Sequence, residues 1–507
     1  MRGLPSRRLS IYSLMLAAAS AGAACSSEDT PPTGEGTGGT GGAAGTSTAS
    51  AGTSTGGSTP STGGSGSPTA GTTAGGAGSG AAATGGSSSA AGTGGSPGGG
   101  SGGSGGSGAI GGGGGSAGSG GPSASSQEDT GLDCKVAAAS GPNGASATTL
   151  PDPFTKWDGA QVKNMADWRC RRRELVEEVE KRILGPKAPP PSTMGGTVSG
   201  SVTNTTYSVQ VDNPGGKTSF SGTIKLPGTG TAPYPAVVVI GGLNSLNTDV
   251  LSSEGVATLS YDNNAIAAET SGNYSSGKYF DANPDFKGKT GALVAWAWGV
   301  SRILDMLEKN PTVIDPKKIA VHGCSRLGKA AFVIGAFDQR IALGLPLEPG
   351  TGGPAPLRAL PSLGGQTVSS ANSEASWFGP PSKTYSATMA AADMSDVAVM
   401  YAPRGLLMMD NPHIDHLSYK ANYLGSAAAK KVYDAMGSEG LWYLGNSGNG
   451  NHCAVRAEYG APLRAMIKKF LKADASAKTG GLDTHANHGN VDVAGWTKNF
   501  KPGTIAP

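Results

Sequence analysis

The sequence predicts an α/β fold in which a mostly parallel central sheet carries helices on both faces. Three observations lead there. Short apolar runs alternate with stretches of helical periodicity between residues 236 and 471, and such alternation builds a parallel sheet covered on both sides. The run Ala236-Val237-Val238-Val239-Ile240 is apolar at every position, which suits a central strand buried on both faces. The run Lys318-Ile319-Ala320-Val321 passes through His322-Gly323-Cys324-Ser325 into a small-residue helical pattern from Ala330 to Phe337. That is a strand turning sharply into a helix around a serine.

Taken in order, the chain opens like an export signal. Arg2, Arg7 and Arg8 make a charged start, and Leu9 to Ala19 is mostly apolar but too short to span a bilayer. Gly22-Ala23-Ala24 then precede Cys25. Residues 1–25 are similar to a bacterial lipoprotein processing site, with Cys25 as the lipidated residue and the outer membrane as the place of attachment. Cleavage after an Ala-x-Ala-like site, with plain secretion, is the alternative. The expected location is therefore secreted, or the periplasm or cell surface of a bacterium. Residues 26–126 are Gly, Ser, Thr and Ala with scattered Pro, and most of the excess among the 85 glycines lies before residue 125. Such a segment cannot bury enough apolar surface to offset its ordering entropy. It reads as a tether, about 100 residues with a root-mean-square span of roughly 55 Å.

Residues 127–507 are long enough for one large domain with a substantial core. Its ordered part is expected from Asp133-Cys134 onward, with Pro151 to Phe154 and Trp157 laid irregularly over the core. Asp167 to Leu184 reads as a helix stopped by Gly185-Pro186. Its basic run, Arg169 to Arg173, is interleaved with Glu174, Glu177, Glu178 and Glu180, which predicts a solvated, ion-paired face. Thr197 to Leu226 alternates polar and apolar residues around a turn at Asn213-Gly216, as antiparallel strands do. Gly255 to Leu259 follows as a strand. Leu293, Trp296, Ala297, Val300, Ile303, Leu304 and Leu307 recur at helical spacing, and the tryptophans there read as core. Further strands are expected at Ile341-Leu347, Gly405-Met409 and Leu441-Leu444, with a last helix through Leu463, Ile467, Phe470 and Leu471. The tail after Ala473 has little pattern. The net charge of +3 is spread along the chain and gives no reason to expect a nucleic-acid partner.

The serine turn points to nucleophilic chemistry. A nucleophile elbow lifts a serine hydroxyl clear of a sheet, and the helix that follows aims its first N–H groups at an oxyanion formed there. The usual spacing is G-x-S-x-G; here Leu327 holds the place of the second glycine, which comes one residue late at Gly328. Gly241-Gly242, after the central strand, is a further source of an oxyanion donor. A serine nucleophile needs a base, and the base needs an acid, which in the α/β-hydrolase order come as Ser, acid, His. Of the six histidines, His322 lies too close in sequence to swing onto Ser325. His413 and His416 follow a strand, and His485 and His488 read as surface residues of the tail. His452 lies in Asn451-His452-Cys453, in a loop after the last predicted strand, where the base belongs. Asp410 and Glu348 each end a strand, and either suits the acid. If Ser325 and His452 meet, their neighbours Cys324 and Cys453 are close enough to form a disulfide, leaving Cys134 to pair with Cys170.

Gly-Cys-Ser-Arg-x-Gly-Lys at residues 323–329 resembles the signature of the glucuronoyl esterases, carbohydrate esterase family 15. The similarity runs over residues 150–472 and includes Trp168 with Arg171-Arg172-Arg173-Glu174, Ala295-Trp296-Ala297-Trp298-Gly299, and Asn451-His452-Cys453. The late glycine is that family's own variant. The resemblance implies an α/β-hydrolase fold and a Ser325–Glu348–His452 triad, so it selects Glu348 over Asp410. It carries over the Cys324–Cys453 bridge, with Arg326 at the oxyanion and Lys329 on the sugar hydroxyls. It also implies sugar contacts from Gln366 and Glu374. His416, in Ile414-Asp415-His416-Leu417, stands where fungal members have tryptophan, and an imidazole stacks less area on a sugar. The implied substrate is an ester of 4-O-methyl-glucuronate on glucuronoxylan, including its cross-links to lignin. No cofactor or metal is called for, and a monomer is expected. Two other readings stay open at this point: an acetyl- or feruloyl-type carbohydrate esterase, and a tethered polysaccharide-binding module without catalysis.

Overall fold

The computed structural model describes residues 128–242 and 245–507; the expected export signal, Cys25 and the tether lie outside the described residues. Ten strands make one sheet: β1 (Thr193–Ser201), β2 (Asn204–Asn213), β3 (Gly216–Lys225), β4 (Tyr234–Ile240), β5 (Ala257–Tyr261), β6 (Ile314–Cys324), β7 (Ile341–Leu347), β8 (Gly405–Met409), β9 (Leu441–Gly445) and β10 (Gly481–Thr484). Their spatial order is β1-β2-β3-β5-β4-β6-β7-β8-β9-β10. Neighbours from β1 through β3 to β5 pair antiparallel, and neighbours from β5 to β10 pair parallel. This is the α/β-hydrolase arrangement.

The side-chain pattern explains the layers. Along β4, Ala236, Val238 and Ile240 enter one core cluster, while Val237 and Val239 enter another on the opposite face. The first cluster takes the helices Met165–Val179, Ala292–Lys309 and Arg326–Phe337; the second takes the helix Gly460–Leu471 through Leu463, Met466 and Ile467. Trp296 and Trp298 are fully buried in the first cluster. The alternation expected over Thr197 to Leu226 resolves into three antiparallel strands, with the expected turn at Asn213-Gly216 between β2 and β3 and a further one at Val202-Thr203 between β1 and β2.

Two expectations are corrected. The basic run on the first helix is not a solvated face. Arg171 and Arg172 are buried: Arg171 pairs with buried Glu174 at 2.5 Å and donates to the carbonyl of Pro153, and Arg172 donates to the carbonyls of Met400 and Ala336. Only Arg169 and Arg173 reach outward, to Asp129 and Asp133 and to Glu177. A guanidinium offers five donors in a fixed fork, so it satisfies carbonyls inside a core as readily as carboxylates outside it. The tail after Ala473 is also structured. It adds β10 beside β9 and buries His488, whose Nε2 lies 2.9 Å from the Tyr443 hydroxyl.

Candidate active site

The elbow is built by close packing. Ser325 has φ 58°, a left-handed conformation that costs a non-glycine residue about 1–3 kcal/mol and clusters at functional sites. A Cβ at Gly323 would lie 2.2 Å from the Leu327 carbonyl oxygen, and one at Gly328 would lie 2.3 Å from that of Leu347. Gly328 thus lets the new helix press against the end of β7, and this explains the late glycine. Leu327, in the usual glycine place, turns its side chain over Gly241 instead; a Cβ there would meet Leu327 Cδ1 at 2.0 Å. The Ser325 side chain does not cap the helix, and its N–H donates to Leu347 at 3.0 Å. The N–H groups of Arg326 and Leu327, in the first helical turn, have no intrahelical acceptor.

Glu348 directly follows β7, fully buried, with φ 48°. One oxygen takes His452 Nδ1 at 2.5 Å and the N–H of Cys453 at 2.9 Å. The other takes Arg456 Nη2 at 3.0 Å and Asn411 Nδ2 at 3.1 Å. Burial pushes this carboxyl up, but the bonds from His452, Cys453 and Arg456 outweigh it and hold it below the ordinary glutamate range. With Nδ1 donating to the carboxylate, the neutral ring leaves Nε2 as a proton acceptor. The His452 side chain is 42% exposed, so that nitrogen can meet a substrate.

Asp410, the other candidate acid, is turned elsewhere. It takes the Tyr443 hydroxyl at 2.9 Å and the N–H of Asn411, and burial pushes it up to about 7.

The cysteines tie the pieces together. Cys324 and Cys453 are bonded, with α-carbons 5.8 Å apart, and Cys134 is bonded to Cys170. Ser325 and His452 therefore each stand one residue from the same bridge. The nearest donor atoms of Cys324, Glu348, His452 and Cys453 lie within 4.8 Å of one another. Both sulfurs are bonded to each other, so the group offers no thiolate and does not fit a zinc-type site.

Beside the elbow is an open cleft of about 520 Å³, lined by Arg326, Glu269, Glu374, Trp377 and Asn264. Arg326 is 57% exposed, and its Nε pairs with Glu269 at 3.1 Å. Glu269 also accepts from Trp377 Nε1 at 2.7 Å. Lys329 is buried: its ammonium donates to the Pro349 carbonyl at 2.6 Å and lies 5.0 Å from the centre of the Trp377 ring. Burial pulls it down to about 8 against the carboxylates of Glu374 and Glu269. Gln366 donates to Glu374 at 2.6 Å and takes its own backbone bond from the loop of His416, whose carbonyl accepts from Gln366 N–H at 3.1 Å. The His416 ring is exposed.

Glu269, Trp377, Asn411 and Arg456 were not legible as site residues. Glu269 carried one faint signal, since it lies in the loop after β5 at the carboxyl end of the sheet, where ligands of open α/β sheets bind. His322 is buried within the sheet, with Nδ1 on the Leu345 carbonyl and Nε2 on Ser245. His413 packs on His485, with ring centres 4.8 Å apart, and its Nε2 lies 2.8 Å from the Ser447 carbonyl.

Residues 209–437 match the family model described as glucuronyl esterase, fungi. A 4-O-methyl-glucuronoyl methylesterase of Podospora anserina is 34% identical over 362 residues, which cover 69% of this chain and 74% of that one. One of Hypocrea jecorina is 36% identical over 331 residues, covering 64% and 70%. Among solved structures, a glucuronoyl esterase from Sporotrichum thermophile, in complex with methyl 4-O-methyl-β-D-glucopyranuronate, superposes with TM-score 0.64 at 32% identity, covering 72% of this chain and 96% of that one. Late glycine, serine turn, buried glutamate and disulfide-clamped histidine thus stand in a chain that belongs to the glucuronoyl esterases, carbohydrate esterase family 15.

Proposed function

We propose that this chain hydrolyses esters of 4-O-methyl-glucuronic acid, such as those joining glucuronoxylan to lignin, by a serine mechanism. The observation that carries this is the Glu348–His452 pair bridged by Cys324–Cys453 to the strained Ser325 turn. His452, held in one tautomer by Glu348, takes the proton of Ser325 as its oxygen attacks the ester carbonyl. The oxyanion faces the N–H groups that open the helix at Arg326 and the Arg326 guanidinium, donors fixed before charge develops. A uronate ester is neutral as bound, so a cation there acts mainly on the transition state. The alcohol leaves with the proton from His452, and a water, activated by the same ring, hydrolyses the acyl-enzyme. The Gln366–Glu374 pair and the adjoining His416 loop offer hydrogen bonds to the sugar hydroxyls, and Lys329 supports the Trp377 side of the cleft.

Residues 127–507 form the catalytic domain on this reading. Disulfides belong to an oxidising compartment, which suits an exported enzyme acting as a monomer. The N-terminal segment would hold it at a bacterial surface through lipid on Cys25 and the tether of residues 26–126. Cys25→Ser should release the protein into the medium; unchanged retention by membranes would remove the lipid from this account.

The test of activity is a panel: the methyl ester of 4-O-methyl-glucuronate beside acetylated xylan and methyl ferulate. Turnover of the first and its loss by roughly 10⁴-fold or more in Ser325→Ala are expected. Preference for either of the other substrates, or full activity in the variant, would overturn the reading.

A further inference from the structure

The loop that carries His452 is held from behind by a single side chain. Arg456 follows the base by one short turn of chain, and its side chain is only 2% exposed. Its Nη2 donates to Glu348 at 3.0 Å and to the Asn451 carbonyl at 2.8 Å, and its Nη1 donates to Asn449 Oδ1 at 3.0 Å. The planar fork of a guanidinium makes these contacts together, and so ties the acid to the backbone directly before His452. Stability is a poor reason for burying it. Its Nε has no hydrogen-bond partner among the described residues, and a buried donor left unpaired costs about 1–3 kcal/mol. Apolar side chains commonly replace a buried ion pair at no cost in stability.

Its charge gives it a role. Glu348 lies between two partners, with one oxygen on His452 and the other on Arg456. An unopposed carboxylate holds an imidazolium strongly, and a base that keeps its proton cannot take one from serine. The cation on the far oxygen draws charge away from His452 and weakens that hold. Among the described residues no other arginine or lysine pairs with Glu348. Asp410 is pushed up to about 7 and Tyr459 is pushed up too, both by burial, so neither is charged in mild acid. Glu458 takes the Gly448 N–H, His413 bonds the Ser447 carbonyl, and Lys329 bonds the Pro349 carbonyl. These three face the loops around the pair and bond neither Glu348 nor His452.

We propose that Arg456 is a positioning residue: its fork keeps the acid and the base loop in register, and its charge loosens the grip of Glu348 on the imidazolium, so that hydrolysis persists to lower pH. This rests on the esterase reading above and adds what sets the acid limit of that activity.

The experiment is the pH profile of kcat/KM on the methyl ester of 4-O-methyl-glucuronate, whose acid limb reports the essential base of the free enzyme. In Arg456→Met the limb should move up by about one pH unit, since no cation then opposes Glu348. Arg456→Lys restores a charge without the fork, so its limb should stay with the wild type while kcat falls about tenfold. A residue that only packs would lower the rate evenly and leave the limb in place. That result in Arg456→Met, or a limb displaced as far in Arg456→Lys as in Arg456→Met, would overturn the role. Where Arg456→Met does not fold, Arg456→Lys decides alone: a displaced limb or an undiminished kcat in it overturns the proposal. Wild-type protein inactive on the methyl ester would overturn the esterase reading, and this role with it.

Discussion

Glu348 and Asp410 follow neighbouring strands, and both are buried, yet their environments drive their protons in opposite directions. Glu348 faces one cation, Arg456, and the donors of His452, Cys453 and Asn411. Asp410 faces Tyr443, Asn411 and the negative field of Glu348, with His488 one bond further on through Tyr443. The depressed Glu348 favours the folded state above the ordinary glutamate range, and that contribution is lost as pH falls through its folded value. The raised Asp410 acts in reverse: between the ordinary aspartate value of 3.8 and about 7 the unfolded chain releases a proton that the folded chain keeps, so stability falls as pH rises. Asp410→Asn should therefore gain thermal stability over wild type between pH 4 and pH 7 and keep its activity. Glu348→Gln should lose about a thousandfold or more in kcat, as a triad does when its histidine is held in the wrong tautomer. A pH-melting series and steady-state kinetics separate the two; an inactive Asp410→Asn would make Asp410 the working acid. Glu269 stands at this scale as the residue that holds Arg326. Glu269→Gln should lower kcat more than it raises KM, and the loss should vanish in an Arg326→Met background. Additive losses in that cycle would show that Glu269 does not act through Arg326. Residue pattern alone left Glu348 and Asp410 equal, and only the family resemblance separated them, because a carboxylate's role is set by which donors the fold brings to it.

At the scale of elements, the site depends on how closely the helix Arg326–Phe337 presses on β7. Gly328→Ala puts a Cβ within 2.3 Å of a backbone oxygen that cannot rotate away. A loss of more than about 2 kcal/mol in stability is expected, together with a loss of activity as the elbow lifts; an unchanged melting temperature would mean that the helix yields at no cost. The Cys324–Cys453 bridge closes a span of 129 residues, for which chain entropy alone predicts about 5 kcal/mol. The Cys324→Ala/Cys453→Ala pair should melt earlier and lose kcat even well below its transition, since the loop of His452 then loses its covalent tie to the serine turn. Normal kcat in the folded double variant would confine the bridge to stability. The elbow was legible as strand, turn and helix, because apolar period and small residues are local signals. Its late glycine could be read only as a deviation until the packing of Gly328 on Leu347 gave it a reason.

At the scale of the whole molecule, the tail closes the fold. Ile505 is buried and donates its N–H to Ala435, Ala506 bonds Lys163, and the Trp496 carbonyl accepts from Leu150. His488 is held by Tyr443, which also holds Asp410. Removal of residues 474–507 should lower the melting temperature sharply and expose the edge of β9; a truncated protein as stable as the full chain would show the tail to be an attachment only.

What the sequence determined by itself was whatever rests on local period and composition: the central strand at residues 236–240, the helix of Trp296 and Trp298, the serine turn, and the order serine, acid, histidine. Tertiary structure decided the rest. It put Glu348 rather than Asp410 on His452, a choice that residue pattern had left open and only the family resemblance had made, buried Arg171 and Arg172, ordered the tail, and brought Glu269 to Arg326. Each of these is a meeting of residues far apart in the chain. A one-dimensional pattern can register which groups seek a partner, while only the packed sheet and its loops settle which partner lies within 3 Å.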